Sequence, residues 1–156
     1  MTSTRTRPLT AFDDALFDVQ RLVRRPGYRK ALLDKLGNHV ELSVVRVLRA
    51  VERAGTSAPC IGDIAERMLV DPSTASRFVE QQVAAGYLTR ERHPDDGRRS
   101  QLVLTDAGRA LLAEVTQARR QVLGEVTASW DPDDLDTLAE LLSRLSADLD
   151  QLESQA

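Results

Sequence analysis

A single cysteine, Cys60, and two histidines, His39 and His93, cannot supply a closed tetrahedral zinc site from nitrogen and sulfur ligands, so no structural metal is expected. The chain has no glycine-rich phosphate loop, no HExxH and no GxSxG, and the two histidines stand in unrelated contexts. Acidic pairs such as Asp13-Asp14 and Asp133-Asp134 are adjacent, so on a helix they point about 100° apart and do not converge on one substrate. The reading is therefore of a protein that is not an enzyme and needs no cofactor. No stretch approaches the run of about 18 apolar residues that a membrane helix requires. The opening MTSTRTRPLTAFDD also lacks the apolar segment of a signal peptide, so a cytoplasmic location without membrane contact is expected.

What the 156 residues do have is ordinary for a soluble domain: 42% hydrophobic and 29% charged, in a length sufficient for a real core. The informative stretch runs from residue 71 to 108, DPSTASRFVEQQVAAGYLTRERHPDDGRRSQLVLTDAG. Asp71 is placed as an N-cap with Pro72 at the first helical position, and Gly86 closes the helix as the residue type that tolerates a left-handed end. At about 100° per residue, Ala75, Phe78, Val79 and Val83 share one face, while Ser73, Thr74, Arg77 and Gln81 share the other. Ala84 and Gln82 fit neither face cleanly.

The polar face carries major-groove chemistry. Short hydroxyls near a helix N-terminus reach phosphates or base edges, an arginine fork matches guanine O6 and N7, and glutamine pairs with adenine in the same way. Ser76 lies on the flank, better placed for phosphate. After Gly86, residues 87–92 and 100–104 read as two short strands. The loop between them, His93-Pro94-Asp95-Asp96-Gly97-Arg98-Arg99, has turn residues and two arginines near its tip, with Arg90 and Arg92 on the approaching strand. Asp95 and Asp96 are read as braces that orient Arg98 and Arg99 toward a narrow minor groove or its phosphates, with Arg92 in support. A helix, a strand, an arginine-bearing loop, a second strand and a new helix describe a winged helix-turn-helix.

A net charge of −3 argues against a nucleic-acid partner until its distribution is considered. Residues 1–30 hold seven basic side chains against three acidic ones, whereas residues 131–156 hold eight acidic ones against Arg144 alone. With a Debye length of about 8 Å, a distant acidic end hardly weakens local arginine contacts, and it helps orient the protein on a duplex.

Elsewhere the chain reads as helical. Phe12, Leu16, Val19 and Val23 form a stripe over about 9–24, interrupted at Pro26-Gly27; a short segment with Ala31, Leu32 and Leu36 ends at Gly37-Asn38. Val44, Val45, Val47, Leu48 and Val51 give residues 40–54 a broad buried face closed by Gly55, and residues 61–68 form a short helix leading into the recognition helix. Thr105 caps a long helix to about Ser129, with Leu111, Leu112, Val115, Val122 and Val126 on its apolar side. Asp131-Pro132-Asp133-Asp134 starts a last helix, on which Leu135, Leu138, Leu142, Leu145, Leu149 and Leu152 recur at threes and fours. A leucine stripe of that length needs a partner, and a second copy is preferred to the chain's own N-terminal helix. The fold class is mostly α with a small β-hairpin wing. Residues 1–36 and 109–156 are assigned to dimerisation, through Phe12, Leu16, Leu135, Leu138, Leu142, Leu145 and Leu149, and residues 37–108 to the winged helix-turn-helix, all in one compact chain. Tyr28 and Trp130 fit equally as core or dimer anchors.

The segments DPSTASRFVEQQVAAGYLTR and DDGRRSQLVLTDAGRALL resemble the recognition helix, wing and following helix of the MarR family, the multiple antibiotic resistance regulators. Asp96-x-Arg98 followed at fixed spacing by Leu104-Thr105 and Gly108 is its most specific element; ELSVVRVLRAVE and IGDIAERMLV resemble the two preceding helices, so the likeness covers nearly the whole chain. It implies a bacterial homodimer that binds double-stranded DNA at a pseudo-palindromic operator, as a repressor released by a small ligand or oxidant. It also implies an effector cleft between the dimerising helices and the DNA-binding lobe, of aromatic-acid class, where His39 or Arg46 would meet a carboxylate. Hydroperoxide sensors of that family carry their cysteine in the N-terminal helix. This chain has none there, leaving Cys60, just before the helix at 61–68, as the redox candidate. The reading of a different class is a winged-helix protein-interaction module whose arginine face engages an acidic partner.

Overall fold

Apolar residues at helical spacing build most of the chain, and alternation builds only the hairpin. The computed structural model describes residues 3–37, 40–55, 59–92 and 100–153. Among these the order is α1 (Ser3–Val23), α2 (Pro26–Lys35), α3 (Leu42–Ala54), α4 (Ile61–Met68), α5 (Pro72–Ala84), β1 (Leu88–Arg92), β2 (Ser100–Leu104), α6 (Asp106–Val126) and α7 (Pro132–Glu153). The two strands pair antiparallel, Leu88 opposite Leu104 and Arg92 opposite Ser100. This is the expected architecture, mostly helical with one hairpin. Two compact units divide the chain, Met1–Arg120 and Gln121–Ala156.

In the first unit the core lies where the apolar faces of α3, α4, α5 and the start of α6 meet the hairpin. Leu36, Val47, Leu48, Ile64, Val79 and Leu112 are fully buried, and Leu88, Leu102 and Leu104 close the core from the hairpin side. Each such side chain contributes about 1.5–3 kcal/mol, against about 1 kcal/mol for a helix cap, so packing sets the register and caps set the ends.

Those ends follow the local chemistry. Asp71 accepts the Thr74 amide at 2.9 Å with Pro72 behind it, Thr105 Oγ1 accepts the Gly108 amide at 3.1 Å, and Asp131 accepts the Asp133 amide at 3.0 Å. At the other end of α5, the Gly86 amide donates to Val83 O and the Tyr87 amide to Gln82 O, both at 3.0 Å, with Gly86 at φ 77°. This paired closure requires a left-handed residue, which is why the helix stops at glycine.

Three helix boundaries differ from expectation by more than one residue. Helix α1 starts at Ser3 and not near residue 9, with Pro8 inside it, because a proline in the second turn forfeits only one ladder bond. Helix α3 starts at Leu42 and not Val40, because Glu41 has an extended backbone; Val40 is buried outside the helix. Helix α6 ends at Val126 short of Ser129, where the Thr127 hydroxyl donates to Leu123 O at 2.9 Å and the turn continues to a Trp130 amide bond with Thr127 O.

In the second unit, α7 leaves Leu135, Leu138, Leu141, Leu142, Leu149 and Leu152 exposed and Leu145 half-buried. On α1, Leu9, Phe12, Phe17 and Val19 are likewise exposed, and Leu16 is half-buried. Trp130 and Val126 are exposed and Tyr28 is half-buried.

Candidate nucleic-acid interface

A reading helix needs one face anchored and the other free, and α5 has both. Ala75 and Val79 are fully buried, Phe78 and Val83 pack against the core, and Ser73, Arg77 and Gln81 are exposed beside the half-buried Thr74 and Ser76. The faces assigned by periodicity are therefore the faces observed. Gln82, which fitted neither, is buried at 4% exposure, and its Nε2 donates to Phe78 O at 3.3 Å. A buried amide costs little once its donor is satisfied within its own helix. Ala84 is exposed at the last residue of α5. The exposed Arg77 has its guanidinium 5.9 Å from the Phe78 ring centroid, a cation–π contact.

The turn that presents α5 is held from behind. Helix α4 closes with Leu69 N–H on Glu66 O at 3.0 Å and Val70 N–H on Ala65 O at 3.1 Å, with Leu69 left-handed at φ 54° and 92% exposed. From α3, Arg46 Nη2 donates to Met68 O at 3.2 Å, tying this turn to the core. Arg46, a candidate for an effector carboxylate, thus already serves a carbonyl at the end of α4. His39 lies outside the described residues.

The hydroxyls of the reading face are not free rotors. Ser73 Oγ lies 2.5 Å from Asp71 Oδ1, Thr74 Oγ1 lies 2.7 Å from Asp71 Oδ2, and Ser76 Oγ lies 3.2 Å from Glu80 Oε1. The Ser73 hydroxyl first, then the Thr74 hydroxyl and amide, hold the Asp71 carboxyl well below the usual carboxylate range. In the sequence the D-P-S-T string marks a helix cap, whereas the clamps depend on where the Asp71 and Glu80 carboxylates lie in space.

The hairpin is fixed to α5 through the start of α6. Thr105 Oγ1 donates to Gly86 O at 2.6 Å, and the Thr105 amide donates to Tyr87 O at 3.1 Å. A Cβ on Gly108 would stand 2.2 Å from Tyr87 O, so only glycine allows α6 to approach this junction. The Thr105-x-x-Gly108 spacing therefore seats the start of α6 on the junction of α5 and β1. On β1, Arg90 stands 3.9 Å from Glu80 of α5, and Arg92 is exposed where the strand ends. Asp95, Asp96, Arg98 and Arg99 lie outside the described residues, and with them the bracing assigned to the two aspartates.

The MarR family model matches residues 40–99, from just before α3 to just before β2. Over this segment the chain is similar to MarR family proteins. It is 27% identical over 130 residues to the HTH-type transcriptional regulator YxaD of Bacillus subtilis, covering 83% of this chain and 89% of that one. Its fold matches a MarR family protein from Bacillus stearothermophilus with a TM-score of 0.73 at 17% identity, over 92% of this chain and 96% of that one. It also matches Staphylococcus aureus MepR, as a point mutant bound to an oligodeoxyribonucleotide, with a TM-score of 0.59 at 16% identity over 86% and 97% of the two chains.

Cys60 is the N-cap of α4 and is half-buried. Its amide donates to Asp63 Oδ2 at 2.7 Å, so the positive helix end that a thiolate would use is already met by a carboxylate. Among the described residues no group of three or more His, Cys, Asp or Glu side chains is placed to hold a metal, and no helix is long and apolar enough to cross a membrane. A groove of about 510 Å³ between α3 and α6 is lined by Arg49, Glu52, Arg109, Thr116 and Arg120. Arg49 bonds Glu52 at 2.6 Å and also Thr116, and Arg109 bonds Asp106 at 2.6 Å.

Proposed function

We propose that this MarR-family helix-turn-helix transcriptional regulator acts in the cytoplasm as a homodimeric repressor that binds a pseudo-palindromic operator in double-stranded DNA. The observation that carries the reading is the anchored α5 with Ser73, Thr74, Ser76, Arg77 and Gln81 on its outward side. Arg77 reads guanine and Gln81 reads adenine in the major groove, while Arg98 and Arg99, supported by Arg92, reach the minor groove or its phosphates. The DNA-bound MepR structure, similar in fold, supports placing DNA on this architecture.

Dimerisation uses residues 1–36 and 109–156, through Phe12 and Leu16 on α1 and the α7 leucines, whose exposure in the single chain supports a covering partner. A two-fold dimer sets its reading helices about 34–36 Å apart, one turn of DNA, which gives the operator its symmetry. Release by an anionic ligand completes the reading, and the guanidinium-lined groove between α3 and α6 supports it.

Equilibrium binding of Arg77→Ala and Arg99→Ala at several salt concentrations tests the assignment. Arg77→Ala is expected to cost about 1–3 kcal/mol with relaxed base preference, and Arg99→Ala to weaken all sequences and lower the salt slope by about 1. Unchanged binding in both variants removes it.

A further inference from the structure

The carboxylate at the start of α5 does more than close a helix end. Asp71 faces three donors at once: the Thr74 amide at 2.9 Å, the Thr74 hydroxyl at 2.7 Å and the Ser73 hydroxyl at 2.5 Å. An ionised carboxylate only accepts, so both hydroxyls must spend their protons on it. Each hydroxyl has one proton and two lone pairs, and what remains to offer a ligand is a lone pair. Ser76 is held the same way by Glu80 at 3.2 Å, so each of these three hydroxyls has its proton engaged by a carboxylate. Phosphate oxygens are also acceptors and gain nothing from them. The carboxylate further occupies the positive end of α5, the place where a phosphate would otherwise be drawn.

We propose that Asp71 is a specificity-determining residue that polarises Ser73 and Thr74 into hydrogen-bond acceptors, so that they select a base bearing an amino group over one bearing a keto group. The proposal rests on the reading of α5 as the major-groove helix. In that groove adenine N6 and cytosine N4 donate, whereas guanine O6 and thymine O4 accept. An unclamped hydroxyl can rotate to serve either kind; a clamped one serves only the first. Beside them Arg77 offers donors alone, so the two parts of the helix read opposite base edges. Asp71 touches no base in this scheme and acts through its neighbours.

Selection of bound duplexes from a random-sequence pool tests this with the full-length wild-type chain, Asp71→Asn and Thr74→Val. Thr74→Val keeps the side-chain shape and identifies the half-site position that Thr74 reads. Asp71→Asn keeps a good N-cap, with unfolding curves to verify the fold, and its amide N–H₂ can donate to a hydroxyl and return that hydroxyl's proton to the groove. At the Thr74 position the wild type is expected to prefer amino over keto bases by about tenfold, equivalent to about 1.4 kcal/mol, and Asp71→Asn to prefer them by less than about threefold. Loss of a negative charge alone would raise affinity for all sequences and leave that ratio unchanged. An Asp71→Asn ratio equal to that of the wild type, or a keto preference in the wild type, overturns the proposal. Failure of the wild type to enrich any sequence instead overturns the major-groove reading beneath it.

Discussion

Replacing Gly108 by alanine adds one methyl group and tests how the wing is attached. The new Cβ would stand 2.2 Å from Tyr87 O and 3.2 Å from Leu104 Cδ2. The first contact is about 1 Å too short, and its partner is backbone, which cannot rotate aside as a side-chain end could. Relief requires moving the start of α6 away from the junction of α5 and β1, where Thr105 makes its 2.6 Å bond to Gly86 O and its 3.1 Å bond to Tyr87 O. Losing two hydrogen bonds at about 1 kcal/mol each, with residual strain of about 1–2 kcal/mol, gives a destabilisation of about 3–4 kcal/mol. For a chain of this size that is a fall in Tm of roughly 6–16 °C. Gly124 is the control: it lies inside α6 with nothing within 4 Å of an added Cβ, so Gly124→Ala is expected to stabilise by about 1 kcal/mol through helix propensity. Urea unfolding of both variants measures the difference. A Gly108→Ala value within about 0.5 kcal/mol of the wild type would refute the role assigned to this close approach.

Leu69 is left-handed and 92% exposed, so Leu69→Gly removes a backbone penalty of about 1–2 kcal/mol, loses almost no burial and costs about 0.4–1 kcal/mol of unfolded-chain entropy. A net gain of about 0.5–1 kcal/mol in urea unfolding is expected, and a loss would contradict it. Asp71 has a depressed folded pKa, so its contribution is complete above the unfolded value near ~3.9 and disappears only as pH falls through the lower folded value. Its carboxyl carbon, followed by NMR, should titrate with a midpoint below ~3.9; a midpoint at or above that value contradicts the clamp. Leu142→Glu places a charge on the exposed leucine side of α7 and should convert the proposed dimer to a monomer by light scattering. Retention of a dimer mass would move the interface elsewhere.

Much of this fold was legible because its helices announce themselves by period and punctuation. Asp71-Pro72, Thr105 and Asp131-Pro132 each mark a helix start that the structure confirms with a hydrogen bond, and Gly86 marks an end that the structure confirms with a left-handed backbone. Gln82 was not legible, since a wheel sorts residues by angle and cannot show an amide folding back onto Phe78 O. Nor could it show that Leu69 would take a left-handed position usually given to glycine, because core packing on either side of the turn decides that. The hydroxyls were placed on the correct face, yet their polarity depends on where Asp71 and Glu80 aim, which is three-dimensional information. Arg46, an effector candidate only through the family resemblance, shows the same limit: its bond to the Met68 carbonyl joins residues 22 apart in sequence.

Selection of bound duplexes by the purified wild-type protein near 0.15 M salt, followed by sequencing, tests the central claim most directly. An inverted repeat with half-site centres about 10 bp apart is expected to be enriched. Binding without enrichment of any sequence, at an affinity that merely falls with salt, would contradict it and turn attention to an acidic protein partner for the same arginine face.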